Sequence, residues 1–235
     1  MADTATTCST EMSPRLVRRD VLVVLTVFPV LYLLHGFFPD SQRLFVDNDH
    51  HAWGAFWAVI AVLHWTSVAA VVVTIRRRGV TLADLGLRAT PPKLFAVTAA
   101  LVAYGLVITF VRVQLGPVPF LHNPVFGVAA PWTTSEALRW IPMAITAGYC
   151  EELVYRGFGI NGQIIGGATR TRAITTATIA FVFLHGFSAF VLFPVYIAVA
   201  MLGKAILRRT GNLLPAMVIH SLIDLTVIIA SGPHH

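Results

Sequence analysis

From Ala173 to Gly203 the chain runs for 31 residues without an Asp, Glu, Lys or Arg. As one helix this stretch would be about 46 Å long, against a hydrocarbon core of about 30 Å. The length therefore predicts two short helices with a break among Gly186, Ser188 and Pro194. A bilayer tolerates such a break only where protein or a water-filled cavity satisfies its backbone. Further apolar spans lie at about 21–38, 52–75, 94–111, 137–158 and 213–231. Together they predict an all-α fold, a polytopic membrane helical bundle of about seven hydrophobic helices, with helices five and six short. Charged residues are 12% of the chain, whereas a soluble domain carries about 25%, so a soluble class is excluded.

The basic residues set the orientation. Arg15, Arg18 and Arg19 precede span one, and Arg76, Arg77, Arg78, Arg88 and Lys93 follow span two. Arg170 and Arg172 follow span four, and Lys204, Arg208 and Arg209 follow helix six. These are thirteen of the seventeen basic residues, and all fall on one side if the spans alternate. The expectation is a multi-pass cell-membrane protein with a cytoplasmic N-terminus and an external C-terminus. The scatter of these charges among loops speaks against a nucleic-acid face. Cys8 lies in a polar tail and Cys150 in an apolar span, which predicts no disulfide between them.

Ionisable groups in hydrocarbon are expensive and mark functional cavities. Span four carries Glu151, Glu152 and Arg156; helix five carries His185; span seven carries His220 and Asp224. Counted from the basic side, Glu151 and His220 lie about 12 Å deep and His185 about 18 Å deep. Glu152 and Arg156 are four apart, as are Phe181 and His185, and His220 and Asp224, so each pair shares a helix face. Glu151 and Glu152 point about 100° apart on an α-helix and need not do the same work. His35 and His64 have no acidic neighbour at helical spacing and read as packing residues; Arg112 reads as reaching to the outer interface.

Three motifs thus occur in order: Glu-Glu-x-x-x-Arg at 151–156, Phe-x-x-x-His at 181–185 and His-x-x-x-Asp at 220–224. They resemble the CPBP family of CAAX proteases and bacteriocin-processing proteins, also called Abi, over roughly residues 137–231. The run Leu82-Ala83-Asp84-Leu85-Gly86-Leu87 resembles a segment that precedes the core in many relatives. The resemblance implies an intramembrane endopeptidase acting on a CAAX-type prenylated protein, a leader peptide or a membrane-anchored regulator. By motif position Glu151 would activate water with help from His185. His220 and residue 224 would stabilise the oxyanion, and Glu152 and Arg156 would brace the site. The implied division is a disordered cytoplasmic tail at 1–20, transmembrane helices one to three with their loops at 21–136, and a catalytic core at 137–231.

The third motif more often ends in Asn, and here it ends in Asp224. An ionised Asp has no proton to donate to an oxyanion. Asp224 would act as a neutral acid, or it would join Glu151, His185 and His220 as a Zn²⁺ ligand in a metalloprotease. Both routes stay open, with the metal-free one favoured. The expected partners are the lipid bilayer and a peptide or lipidated protein, with no nucleic acid and an oligomeric state the sequence does not give. Two other classes compete: a transporter or proton relay, and a non-catalytic immunity or scaffold protein. The absence of an inverted repeat speaks against the transporter.

Overall fold

A computed structural model describes residues 18–35, 53–116, 131–185 and 188–230. Residues 1–17 of the expected tail at 1–20, the external loop at 39–51 and Gly186 of the expected break lie outside the described residues, while Arg18–Asp20 belong to a helix. Those described are helical, with no strand among them. In chain order they form α1 (Arg18–His35), α2 (Trp53–Arg77), α3 (Pro91–Leu115), α4 (Thr134–Glu151), α5 (Arg170–Leu184), α6 (Ser188–Thr210) and α7 (Leu214–Ala230).

Local chemistry sets the helix ends. Two prolines open α3, where a missing N–H costs nothing. A capping box opens α4: Thr133 Oγ1 accepts from Glu136 N at 3.1 Å, and Glu136 Oε2 accepts from Thr133 N at 3.0 Å. Thr169 caps α5, and Gly211 closes α6 at φ 63°, a left-handed conformation that suits glycine.

One expectation needs correction. Helix five is short, at 15 residues; α6 leaves helical geometry at Leu192 (φ −106°, ψ 17°), within the expected interval of the break, but the helix after that kink runs on to Thr210, further than expected. Lys204, Arg208 and Arg209 continue the helix instead of ending it, because Lys and Arg are good helix formers and favour the C-terminal end of the dipole.

The central element is α4 and its continuation. After Glu151 the helix widens into a π-helix over Glu152–Gly162, then returns to a short α turn at Gln163–Ile165. Every residue from Glu151 to Ile160 is buried. The other six helices pack around this element. Two glycines allow the tightest approaches. A Cβ on Gly148 would strike Ser221 Oγ and lie 2.7 Å from Ser221 N, so α4 and α7 touch almost backbone to backbone. A Cβ on Gly203 would lie 2.8 Å from Glu152 Oε2 and 3.0 Å from Arg156 Nε, so α6 passes directly over that pair.

The segment Leu82–Leu87 docks at the end of the central element. Asn161 Nδ2 donates to Leu85 O at 2.9 Å, and Leu213 N donates to Gly86 O at 2.9 Å. Asp84 closes the preceding turn by accepting from Thr81 N and Thr81 Oγ1, at 2.8 and 2.7 Å. The backbone bond from Thr81 holds the exposed Asp84 carboxyl below the usual carboxylate range.

Candidate active site

The α-to-π transition falls between Glu151 and Glu152. On either side of it, two adjacent carboxylates approach one imidazole. His220 Nδ1 lies 2.9 Å from Glu152 Oε1, and His220 Nε2 lies 3.6 Å from Glu151 Oε2. Asp224 Oδ2 lies 3.7 Å from the same Nε2. The close contact of α4 with α7 at Gly148 and Ser221 brings these groups together.

The two glutamates have different second partners. Glu152 Oε2 faces Arg156 Nε at 3.4 Å, with both side chains almost fully buried. The Arg156 guanidinium also lies 3.9 Å over the Phe181 ring, a cation–π contact between two buried side chains. Glu151 Oε1 instead meets His64 Nε2 of α2 at 2.9 Å. Glu151 Oε2 is buried and makes no hydrogen bond among the described residues.

Phe181 is the hub of the aromatic wall. Its ring centroid is 4.9 Å from His185, 6.0 Å from His220 and 5.7 Å from Tyr155. His185 caps α5, its Nδ1 donating to Phe181 O at 2.8 Å, and its ring stacks on Tyr196 at 3.8 Å. All seven residues singled out in the three motifs therefore share one neighbourhood. Glu151, Glu152, His220 and Asp224 share direct polar contacts, Arg156 touches Glu152, and His185 joins through Phe181.

The sequence reading set His64 aside, and the structure puts it in this cluster. The rule applied looked for an acidic neighbour on the same helix, whereas its carboxylate comes from another. A usable signal was present. His64 lies 12 residues before Arg76, about 18 Å from the basic end, near the level of the glutamates. Arg112 differs in the opposite sense. It is buried at 8% exposure and donates from Nη2 to Trp132 O at 2.7 Å, so it packs inward on the start of α4 instead of reaching outward.

A catalytic zinc needs three protein donors converging at about 2.0–2.2 Å. Among the described residues no three His, Cys, Asp or Glu side chains converge in that way. Glu151 Oε1 and His220 Nδ1 are engaged by His64 and Glu152. As placed, the side chains do not make a zinc ligand set. Cys150 is a buried free thiol beside Glu151 in the chain.

Residues 132–226 match the family model described as type II CAAX prenyl endopeptidase Rce1-like. This segment is similar to that family. The agreement with the resemblance read from the three motifs is direct, since all three fall within the match. No curated protein and no solved structure matches the chain. The Rce1-like domain comprises α4 to most of α7, while α1, α2 and α3, with His64, lie outside it.

Proposed function

We propose that the chain is an intramembrane endopeptidase in which Glu151 activates the hydrolytic water. One observation carries this reading: within a segment similar to the peptidase family, Glu151 Oε2 is buried, makes no hydrogen bond among the described residues and faces His220 Nε2 at 3.6 Å. Oε2 takes a proton from water as the water oxygen attacks the scissile carbonyl carbon. His220, with Nδ1–H committed to Glu152, donates from Nε2 to the developing oxyanion when the ring carries both protons. Glu151 then returns its proton to the leaving amine as the C–N bond breaks. His185 helps to hold the water, and Glu152 and Arg156 brace His220.

The site lies in a membrane bundle. Among the described residues α2 and α3 are long and apolar enough to cross a membrane, each 25 residues with mean hydropathy 2.2 and 2.4. They also turn large apolar groups outward, with Phe95 77% exposed and Phe110 64% exposed. Faces of that kind suit lipid better than water. The basic residues at 76–93 favour a cytoplasmic side for that segment. With Cys8→Ser and Cys150→Ala as background, Thr90→Cys in intact cells is expected to resist a membrane-impermeant maleimide and react after permeabilisation. Labelling from outside would reverse the topology.

Asp224 separates the chemical routes. If it acts as a neutral donor to the oxyanion, Asp224→Asn retains or raises turnover, because an amide donates without a shared proton. If it ligates zinc, the same change weakens metal binding and activity together. The expected result is retained turnover and indifference to chelators; a mutant losing both activity and one equivalent of bound zinc would overturn the metal-free route. The function itself is tested with purified protein in liposomes and a fluorogenic farnesylated peptide ending in three residues after the lipidated cysteine. Release of that tripeptide is expected. Intact peptide, together with proton flux across the liposome membrane, would favour a transporter.

A further inference from the structure

The most unexpected polar contact of the molecule joins the Rce1-like domain to a helix outside it. His64 is 3% exposed in the middle of α2, an otherwise apolar helix. Its two nitrogens are both used. Nδ1 lies 2.8 Å from Ile60 O, one turn back on the same helix. A carbonyl only accepts, so Nδ1 carries a proton and the ring plane is set by α2 itself; a carboxylate also only accepts, so the contact with Glu151 is made through a second proton, on Nε2. Nε2 then points across to Glu151 Oε1 at 2.9 Å. Tyr32 of α1 packs edge-on against the ring at 5.3 Å, and Ser67 Oγ donates to the main-chain carbonyl of His64 at 2.6 Å.

We propose that His64 is a positioning residue for Glu151. It holds Oε1, fixes the carboxylate plane and leaves Oε2 as the oxygen that meets water. A carboxylate free to rotate would divide its time between orientations. A base displaced by about 1 Å loses on the order of a hundredfold in rate. Supporting hydrogen bonds behind a reacting group supply that precision. The wall of α1 and α2 is thus part of the active site, and the Rce1-like domain is incomplete without it. The inference rests on Glu151 being the base.

Three substitutions test it on the farnesylated peptide. Gln places its amide nitrogen about where imidazole Nε2 lies and can donate to Oε1. Asn places its amide near the Nδ1 position and falls short of Glu151. Leu fills the space and donates nothing. His64→Leu and His64→Asn are expected to lower kcat ten- to a hundredfold with KM within twofold, and His64→Gln to stay within about fivefold of wild type. A general packing role would not separate Gln from Asn, nor kcat from KM. If His64→Leu fails to fold, the Gln and Asn pair decides alone. Equal losses in Gln and Asn, a matching rise in KM, or a Leu variant near wild type would each overturn the inference. Glu151→Gln runs in parallel: activity surviving there removes the base and His64's role with it. An inactive Glu151→Gln beside a fully active His64→Leu removes only the role of His64.

Discussion

Glu151→Gln is expected to lower turnover about a thousandfold while the protein stays folded and inserted. A positioned general base contributes about 10²- to 10⁴-fold, and the amide oxygen of Gln cannot take a proton from water. The fold survives because Gln has the same shape, and its amide N–H can donate to His64 Nε2, which now accepts from it instead of sharing a proton with a carboxylate 2.9 Å away. Initial rates on the farnesylated peptide and gel filtration in detergent check both halves. More than a tenth of wild-type turnover would contradict the assignment. By contrast, Glu152→Gln leaves Oε2 of Glu151 intact, so its expected loss is smaller and comes through His220, whose Nδ1 partner changes.

The second large effect concerns stability. Arg156→Leu is expected to cost about 3–5 kcal/mol, because removing one partner of a buried ion pair leaves the other charge uncompensated. Here the remaining charge is Glu152, 1% exposed and covered by α6 at Gly203, left with only its contact to His220 Nδ1 at 2.9 Å. The Arg156 contact with Phe181 at 3.9 Å is lost in the same step, which loosens the ring that His185 and His220 lean on. Arg156→Lys keeps a charge but not the planar group over the ring, so an intermediate loss is expected. Unfolding in mixed micelles by SDS titration gives the comparison. A loss under about 1 kcal/mol for Arg156→Leu would show that the pair is not braced as described.

The parts of the fold legible in the sequence were those with a one-dimensional signature. Apolar runs between basic clusters located seven helices, and the uncharged run of 31 residues marked a break, of which the described residues show the kink at Leu192. The same cue misjudged α6, because Lys204, Arg208 and Arg209 looked like a loop when they are the last turns of a helix. Spacing of four also foretold the contacts of Glu152 with Arg156 and of His220 with Asp224. It did so for the first pair despite a π-helix that the sequence did not reveal. Two contacts had no local signature. His64 finds its carboxylate on another helix, 87 residues away. The approach of α4 to α7 depends on Gly148 facing Ser221, a fit that only the packed helices show.

The most direct test of the central claim is a single turnover in H₂¹⁸O, with enzyme in excess over the farnesylated peptide and a chelator present. If Glu151 passes water straight to the scissile carbonyl, every first-turnover product carries one ¹⁸O in its new C-terminal carboxylate, read by mass spectrometry. Products that carry none in that turnover would mean that an enzyme oxygen attacked first. A peptide left uncut by wild-type protein both with and without the chelator would contradict the peptidase account itself.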